Sequence, residues 1–288
     1  MTRADGRASL ILITRPQEPG RLLAAHLRDA GCDALWWPAF DLLPPQDAPA
    51  LRSCVARLAQ FDLVVFVSPA AVQAFAAAMT DAWPGHSTIA AVGAATRSAA
   101  LAGLPGAERA RIIAPEGPSA ADGGSESLWR SLQALEPAPR RVLIVRAQGG
   151  RQWLIERLLA GGAQVEQAVA YRRVAHVPAP VQWAALRAGK AAGARLALLY
   201  SSTEAVPVLA AQLGRDEELS AWLAGAVALC VHRRIEEALR TSGHADIRRC
   251  DPDVQSIRDA LRSDPGAMRP ATANDQADPA SNSFLRIS

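Results

Sequence analysis

Six short segments of this 288-residue chain set hydroxyl, amide and guanidinium groups directly after an apolar run. They are "TRPQ" (14–17), "SPAA" (68–71), "GAAT" (93–96), "RAQGGR" (146–151), "SSTE" (201–204) and "HRR" (232–234). Together they offer Thr14, Arg15, Ser68, Thr96, Arg146, Gly149, Ser202, His232 and Arg233 at points where a strand gives way to a helix. In open α/β sheets ligands bind beyond the carboxyl ends of strands, where helix N-termini present unpaired N–H groups. Acidic residues are nearly absent from these turns, Glu204 being the main exception, so the set suits a ligand carrying several carboxylates. Each member also has a plainer reading. Ser68 and Ser202 can cap the helices that follow, Thr96 can bond within its own turn, Arg15 and Arg146 can pair with surface carboxylates, and His232 can open a helix without any ligand.

Tyr171 stands apart from these turns. It is one of only two tyrosines and closes the extended, alternating run "GGAQVEQAVAYRRVAHVP" (161–178), beside Arg172 and Arg173. It is either a packing residue on a strand or a phenol available as a proton donor. Other chemistries find no support. There is no GxxxxGK[ST] phosphate loop and no GxGxxG fingerprint, and "FVSPA" is not a GxSxG nucleophile turn. Cys32, Cys54, Cys230 and Cys250 are widely separated with no CxxC pair, and the five histidines lack ligand spacing, so neither a metal site nor a disulfide framework is expected.

The elements that must position these residues alternate along the chain. Apolar runs at 9–14, 62–68, 88–93, 141–146, 194–202 and 226–231 are each followed by a helical pattern, and 32–40 reads as extended. Nearly continuous apolar strands alternating with helices indicate parallel sheets covered on both faces. The chain also repeats itself. A shift of 131 lays Arg15 over Arg146 and Gly31 over Gly162, and a shift of 134 lays Ser68 over Ser202. Two similar α/β halves follow, facing each other across a cleft bordered by strand ends.

Bulk properties narrow the class further. Half the residues are hydrophobic and a fifth are charged, enough for a sizeable core in two domains. The net charge of +3 is too small to imply a nucleic-acid partner. Lys190 is the only lysine, so any anion site is built from guanidinium forks and backbone amides. The apolar run before Thr14 is too short for a signal core or a membrane span, and a cytoplasmic, metal-free, membrane-free protein is expected. The stretch from Ser263 onward lacks periodicity, and 266–288 reads as a disordered tail, while 114–127 reads as a polar, glycine-rich loop.

Taken in order, "LITRP", "FVSPAAVQAF", "AAVGAATRSAAL", "SESL", "RVLIVRAQGGRQWLIERLLAGGAQVEQAVAYRR", "SSTEAV" and "VHRRIEEALRTSG" resemble the uroporphyrinogen-III synthase family over residues 9–262. Two departures stand out: Ala147 where the family often has glycine, and Arg233 where proline often follows the histidine. The resemblance implies two α/β domains, a discontinuous one from 1–40 plus 174–265 and another from 43–170. It implies a two-stranded ladder of 36–44 and 168–174 as the hinge between them. It further implies a monomeric, cofactor-independent lyase acting on a linear tetrapyrrole, hydroxymethylbilane, which is dehydrated and cyclised with inversion of ring D. Tyr171 would be the catalytic acid and the turn residues would hold substrate carboxylates, with transient contact to the preceding or following pathway enzyme. A two-lobed, non-catalytic binding protein for a polyanionic small molecule is the alternative.

Overall fold

The computed structural model describes residues 9–115, 124–150, 152–214 and 216–262; the expected tail at 266–288, Arg151 and part of the 114–127 loop lie outside them. The chain opens with β1 (Ser9–Ile13), α1 (Gln17–Asp29) and β2 (Asp33–Trp36). It continues through β3 (Phe40–Leu43), α2 (Ala48–Ala56), β4 (Leu63–Phe66), α3 (Pro69–Ala76), β5 (Thr88–Ala91) and α4 (Ala94–Gly103). Then come β6 (Ile112–Ile113), α5 (Ser125–Leu132), β7 (Arg141–Ala147), α6 (Trp153–Ala160) and β8 (Gln164–Ala175). The last part holds α7 (Pro180–Ala191), β9 (Arg195–Tyr200), α8 (Ala205–Leu213), α9 (Glu217–Ala224) and β10 (Val227–Cys230). It closes with α10 (Arg233–Thr241), β11 (Asp246–Arg249) and α11 (Val254–Arg262).

Two sheets result. The first is parallel throughout, in the order β11-β10-β9-β1-β2; the second runs β3-β8-β7-β4-β5-β6 and is parallel except for β3 against β8. The architecture is therefore two parallel-sheet α/β domains, the first of them discontinuous in sequence. Burial explains why these strands carry no polar face. Along β1, Leu10 and Leu12 enter one core while Ile11 and Ile13 enter the core on the opposite side. Along β4, Val64 and Phe66 split from Leu63 and Val65 in the same manner. A side-chain period of two with helices on both faces demands an apolar residue at every position.

The internal repeat has a structural counterpart. Reading β7 for β1, β8 for β2, β4 for β9, β5 for β10 and β6 for β11 converts one strand order into the other, β3 being the addition. Each sheet thus has one point where the order reverses: between β9 and β1 in the first, between β4 and β7 in the second.

The joint between the sheets differs from the expected ladder of 36–44 with 168–174. Trp36 still belongs to β2, paired with Ile13 of β1. The chain then breaks at Trp37–Pro38–Ala39, and only Phe40–Leu43 pairs antiparallel with Arg172–Ala175. Pro38 has no N–H to give to a ladder, and Trp37 turns fully into the first core, edge-to-face with Trp183 at 4.8 Å. The ladder does not stand free either, because β8 is one strand of 12 residues that pairs with β7 before it meets β3. Both crossings are fastened together. His176 donates its backbone N–H to the Ala39 carbonyl (3.0 Å), Gln212 of α8 donates to the His176 carbonyl (2.6 Å), and Trp37 Nε1 donates to Gln212 Oε1 (3.1 Å).

One glycine fixes the turn after β1. A Cβ on Gly20 would lie 1.9 Å from the Arg15 carbonyl oxygen and 2.9 Å from Trp36 Nε1, which itself donates to that oxygen at 3.0 Å. Gly20→Ala should therefore displace the Arg15 turn and destabilise the fold by about 1–3 kcal/mol, the range for forcing atoms into packed space. Thermal unfolding of the variant beside the parent measures it, and an unchanged midpoint would refute the expectation.

Candidate functional site

A cleft of about 590 Å³ lies between the two sheets, within the size range of small-molecule sites. Four strand ends supply most of its lining, the four that flank the two reversal points, while Ala95, Val231 and Pro252 add single residues after β5, β10 and β11. Thr14, Arg15, Pro16 and Gln17 follow β1, and Ser201, Ser202 and Glu204 follow β9. Val67 and Ser68 follow β4, and Arg146, Ala147, Gly149 and Gly150 come from the end of β7. Tyr171 and Arg173 of β8 and Phe40 of β3 close one side.

Of the residues expected from sequence, Tyr171, Thr14, Arg15, Ser68, Arg146, Gly149 and Ser202 line the cleft. Three do not. Thr96 is buried one turn into α4, behind the lining residue Ala95. His232 caps α10, its Nδ1 accepting from the Arg234 N–H at 3.0 Å, and Arg233 turns outward to Glu237 at 3.1 Å. Their strands, β5 and β10, stand one position away from the reversal points, and the turns after them reach the lining only through Ala95 and Val231.

Local chemistry separates the lining residues by task. The Thr14 hydroxyl is spent on the Leu199 carbonyl (2.5 Å), tying β1 to β9. Ser68 is the N-cap of α3, accepting from the Ala71 N–H at 3.1 Å, and its Oγ lies 3.1 Å from the Tyr171 hydroxyl. Ser202 is not a cap; α8 starts later, with Glu204 at its N-cap. Gln17 adopts a left-handed backbone (φ 58°), uncommon for a residue with a side chain, at the point where α1 begins without a side-chain cap.

Two features re-aim the β7–β8 end. A bulge gives β8 one extra residue opposite Arg146–Ala147, and Tyr171 is the residue that pairs with Ala147 beyond it. Bulges of this kind redirect side chains next to sites. Beyond the bulge, Gln148 donates its N–H to the Tyr171 carbonyl at 2.8 Å. Gly149 and Gly150 both have positive φ (75° and 94°), which lets the backbone curl around the Arg146 guanidinium so that Nη2 donates to the Gly149 carbonyl at 2.5 Å. Ala147 needs no such freedom, since it ends β7 in extended conformation; the glycines that follow do the turning. Alternation beyond the bulge puts Arg173 beside Tyr171 in the cleft and leaves Arg172 outside the lining.

The cleft's charge is unbalanced. Arg146 is 5% exposed, held by the side-chain oxygens of Gln152 and Gln167 at 3.3 Å, and burial together with the nearby charge of Arg173 pulls its pKa below the usual arginine value. Burial pulls Arg15 down likewise. Among the described residues neither has a carboxylate partner. Arg173 does: Glu204 reaches across from the other sheet at 3.3 Å, while the guanidinium also lies 5.8 Å from the centre of the Phe40 ring. Burial opposes ionisation of Glu204, but its own N–H, the Arg173 charge and the hydroxyls of Thr203 and Ser202 hold the carboxyl below its ordinary range. A second pair, Arg234 with Glu126 at 3.3 Å, links α10 to α5.

The chain's two tyrosines are thereby told apart. Tyr200 is fully buried in the first core, its hydroxyl 3.3 Å from His244 Nε2, and burial raises its pKa well above the usual phenol value. Tyr171 alone faces the cleft. Among the described residues no group of three or more His, Cys, Asp or Glu side chains could hold a metal ion, and no helix is long and apolar enough to cross a membrane.

Comparison with known proteins fits this geometry. The chain is 33% identical over 169 residues to the uroporphyrinogen-III synthase of Escherichia coli (strain K12), a match covering 57% of this chain and 65% of that one. It is 34% identical to the Salmonella typhimurium protein of the same name, with the same coverage, and 30% identical to that of Synechococcus elongatus, covering 56% and 59%. The match thus spans slightly less than two thirds of these relatives' length. In fold, it is similar to a mutant uroporphyrinogen III synthase from the extremely thermophilic bacterium Thermus thermophilus (TM-score 0.55, 21% identity, 88% of this chain and 99% of that one). It is also similar to uroporphyrinogen-III synthetase from Helicobacter pylori 26695 (TM-score 0.53, 14% identity, 88% and 98%). The family model for uroporphyrinogen-III synthase HemD matches residues 22–255, most of both sheets and every lining turn from β9, β4 and β7. On that match, the chain belongs to the uroporphyrinogen-III synthase family.

Proposed function

We propose that the chain converts hydroxymethylbilane into uroporphyrinogen III. One observation carries the reading: three guanidinium groups, Arg15, Arg146 and Arg173, converge on one cleft in which Glu204 is the only acidic lining residue among the described residues. Holding such charges together, partly out of water, costs stability unless a ligand supplies the missing anions. A linear tetrapyrrole studded with acetate and propionate groups is that ligand, and Arg forks bind carboxylates with directional hydrogen bonds.

In this reading Tyr171 lies against the hydroxymethyl end of the substrate and donates the proton that lets water depart, leaving an azafulvenium cation. The Ser68 hydroxyl, 3.1 Å from the phenol, orients it. The substituted carbon of ring D then attacks, and the spiro intermediate fragments and recloses with the ring reversed. The uninverted closure proceeds unaided, so the protein's larger task is to hold the bent chain with the spiro geometry nearest at hand. Ser202, the backbone N–H groups at the start of α1 and the Gly149–Gly150 turn are the further contacts. The reaction draws on no cofactor. The moving bodies are 1–40 with 174–265 and 43–170, flexing at the β3–β8 ladder. The protein works as a monomer in the cytoplasm, in passing contact with the neighbouring enzymes of its pathway.

The deciding experiment incubates purified protein with freshly generated hydroxymethylbilane, oxidises the products and separates the isomers. Type III should dominate; an isomer ratio equal to that in buffer refutes the activity. Tyr171→Phe should slow type III formation by roughly 10²-fold, the scale of a lost general acid, with little change in unfolding midpoint. Arg15→Met separates binding from folding. Removing a partly buried charge with no carboxylate partner should leave stability unchanged or raise it by about 0.5–2 kcal/mol, while KM rises; a loss of both stability and activity would make Arg15 a structural residue.

A further inference from the structure

Every acidic side chain among the described residues is kept out of the cleft lining except one, and that one sits on an arginine. Glu204 is carried by the first sheet and Arg173 by the second, so their 3.3 Å pair spans the cleft. Arg146 and Arg15, the other two guanidiniums, have no such partner among the described residues. We infer that Glu204 is an internal competitor for Arg173, a tethered carboxylate that a ligand must displace, which makes it a specificity-determining residue. The inference rests on reading the cleft as a polycarboxylate site.

The physics follows from tethering. Glu204 is half exposed and Arg173 about a quarter exposed, so the pair is weak and cheap to break. It is also always present, since a side chain held on a short tether acts at millimolar effective concentration. A ligand with few carboxylates gains too little at Arg173 to remove it. A ligand whose other carboxylates already engage Arg15 and Arg146 delivers a further one to Arg173 at comparable effective concentration and wins. Charge repulsion from the displaced Glu204 then acts against every bound anion, product included, and recapture of Arg173 favours release. Specificity of this kind is a difference of affinities set by a repulsive group. The low carboxyl pKa of Glu204 keeps the competitor charged at neutral pH.

Glu204→Gln tests it. The amide keeps the size, loses the charge and frees Arg173. Its KM for hydroxymethylbilane should fall about two- to fivefold, the worth of an exposed ion pair, and inhibition by uroporphyrinogen III should tighten by a similar factor. Competition with two porphyrins gives an independent arm: the preference for octacarboxylate uroporphyrin III over tetracarboxylate coproporphyrin III should narrow in the variant. Glu237→Gln, on the outer face of α10 where Glu237 meets Arg233, removes the same charge away from the cleft and should change none of these. An equal effect in both variants would assign the change to the overall field and overturn the competitor. So would an unchanged or higher KM and an unchanged porphyrin preference in Glu204→Gln. If the parent protein forms no type III isomer, the reading of the cleft falls and the inference with it; turnover in the parent with no response to Glu204→Gln sinks the inference alone.

Discussion

The constraint on which the rest depends is that parallel strands can be joined only by crossovers, so all the strand ends of a sheet that point one way emerge along one edge. Where the strand order reverses, the crossovers on either side leave in opposite directions and open a crevice. This chain has two such reversals, β9 against β1 and β4 against β7, and the joint at Trp37 and His176 sets them face to face. The cleft is the space between two crevices. Its lining therefore comes in related pairs: Arg15 and Arg146 end equivalent strands, as do Ser68 and Ser202.

The pairs have diverged in what their atoms do. Ser68 caps its helix and meets Tyr171, whereas Ser202 leaves the N-cap of α8 to Glu204. Arg146 is enclosed by Gln152, Gln167 and the Gly149 carbonyl, whereas Arg15 is fixed through its backbone, by Gly20 and Trp36, with its guanidinium left to the cleft. The first sheet thus brings an arginine able to adjust and a carboxylate, and the second brings a rigid arginine, a phenol and Arg173. Two similar frames yield an asymmetric site.

Much of the fold was legible because the strands that flank the reversal points are buried on both faces. "LILI", "LVVF", "VLIV" and "LALLY" have no polar face, and an unbroken apolar run is what a doubly covered parallel strand must show. The far edges, β11 and β6, were not legible. β11, "DIRR", carries its polar residues in mutual pairs, with Asp246 taking both Arg195 and Arg248, and no periodicity reveals it. Helices α5, α9 and α11 had no strand signal before them to mark their starts. The turn chemistry was readable as a class but not by rank: Thr96, His232 and Arg233 look as suitable as Ser68, because their distance from a reversal point is a property of strand order. Nor does the sequence announce the bulge that turns Tyr171 and Arg173 to the cleft, or the pairing of Arg173 with Glu204 on the other sheet.

The hydrogen bond from His176 to Ala39 has a topological consequence. Every described element between those two residues belongs to the second sheet and its helices, so that half enters and leaves at neighbouring backbone atoms. A gene segment with adjoining ends can be spliced into a host without disturbing the host's strand order. The matching orders of the two sheets then differ only by a cyclic permutation of the strand succession, which starts in the second sheet at the strand equivalent to β9.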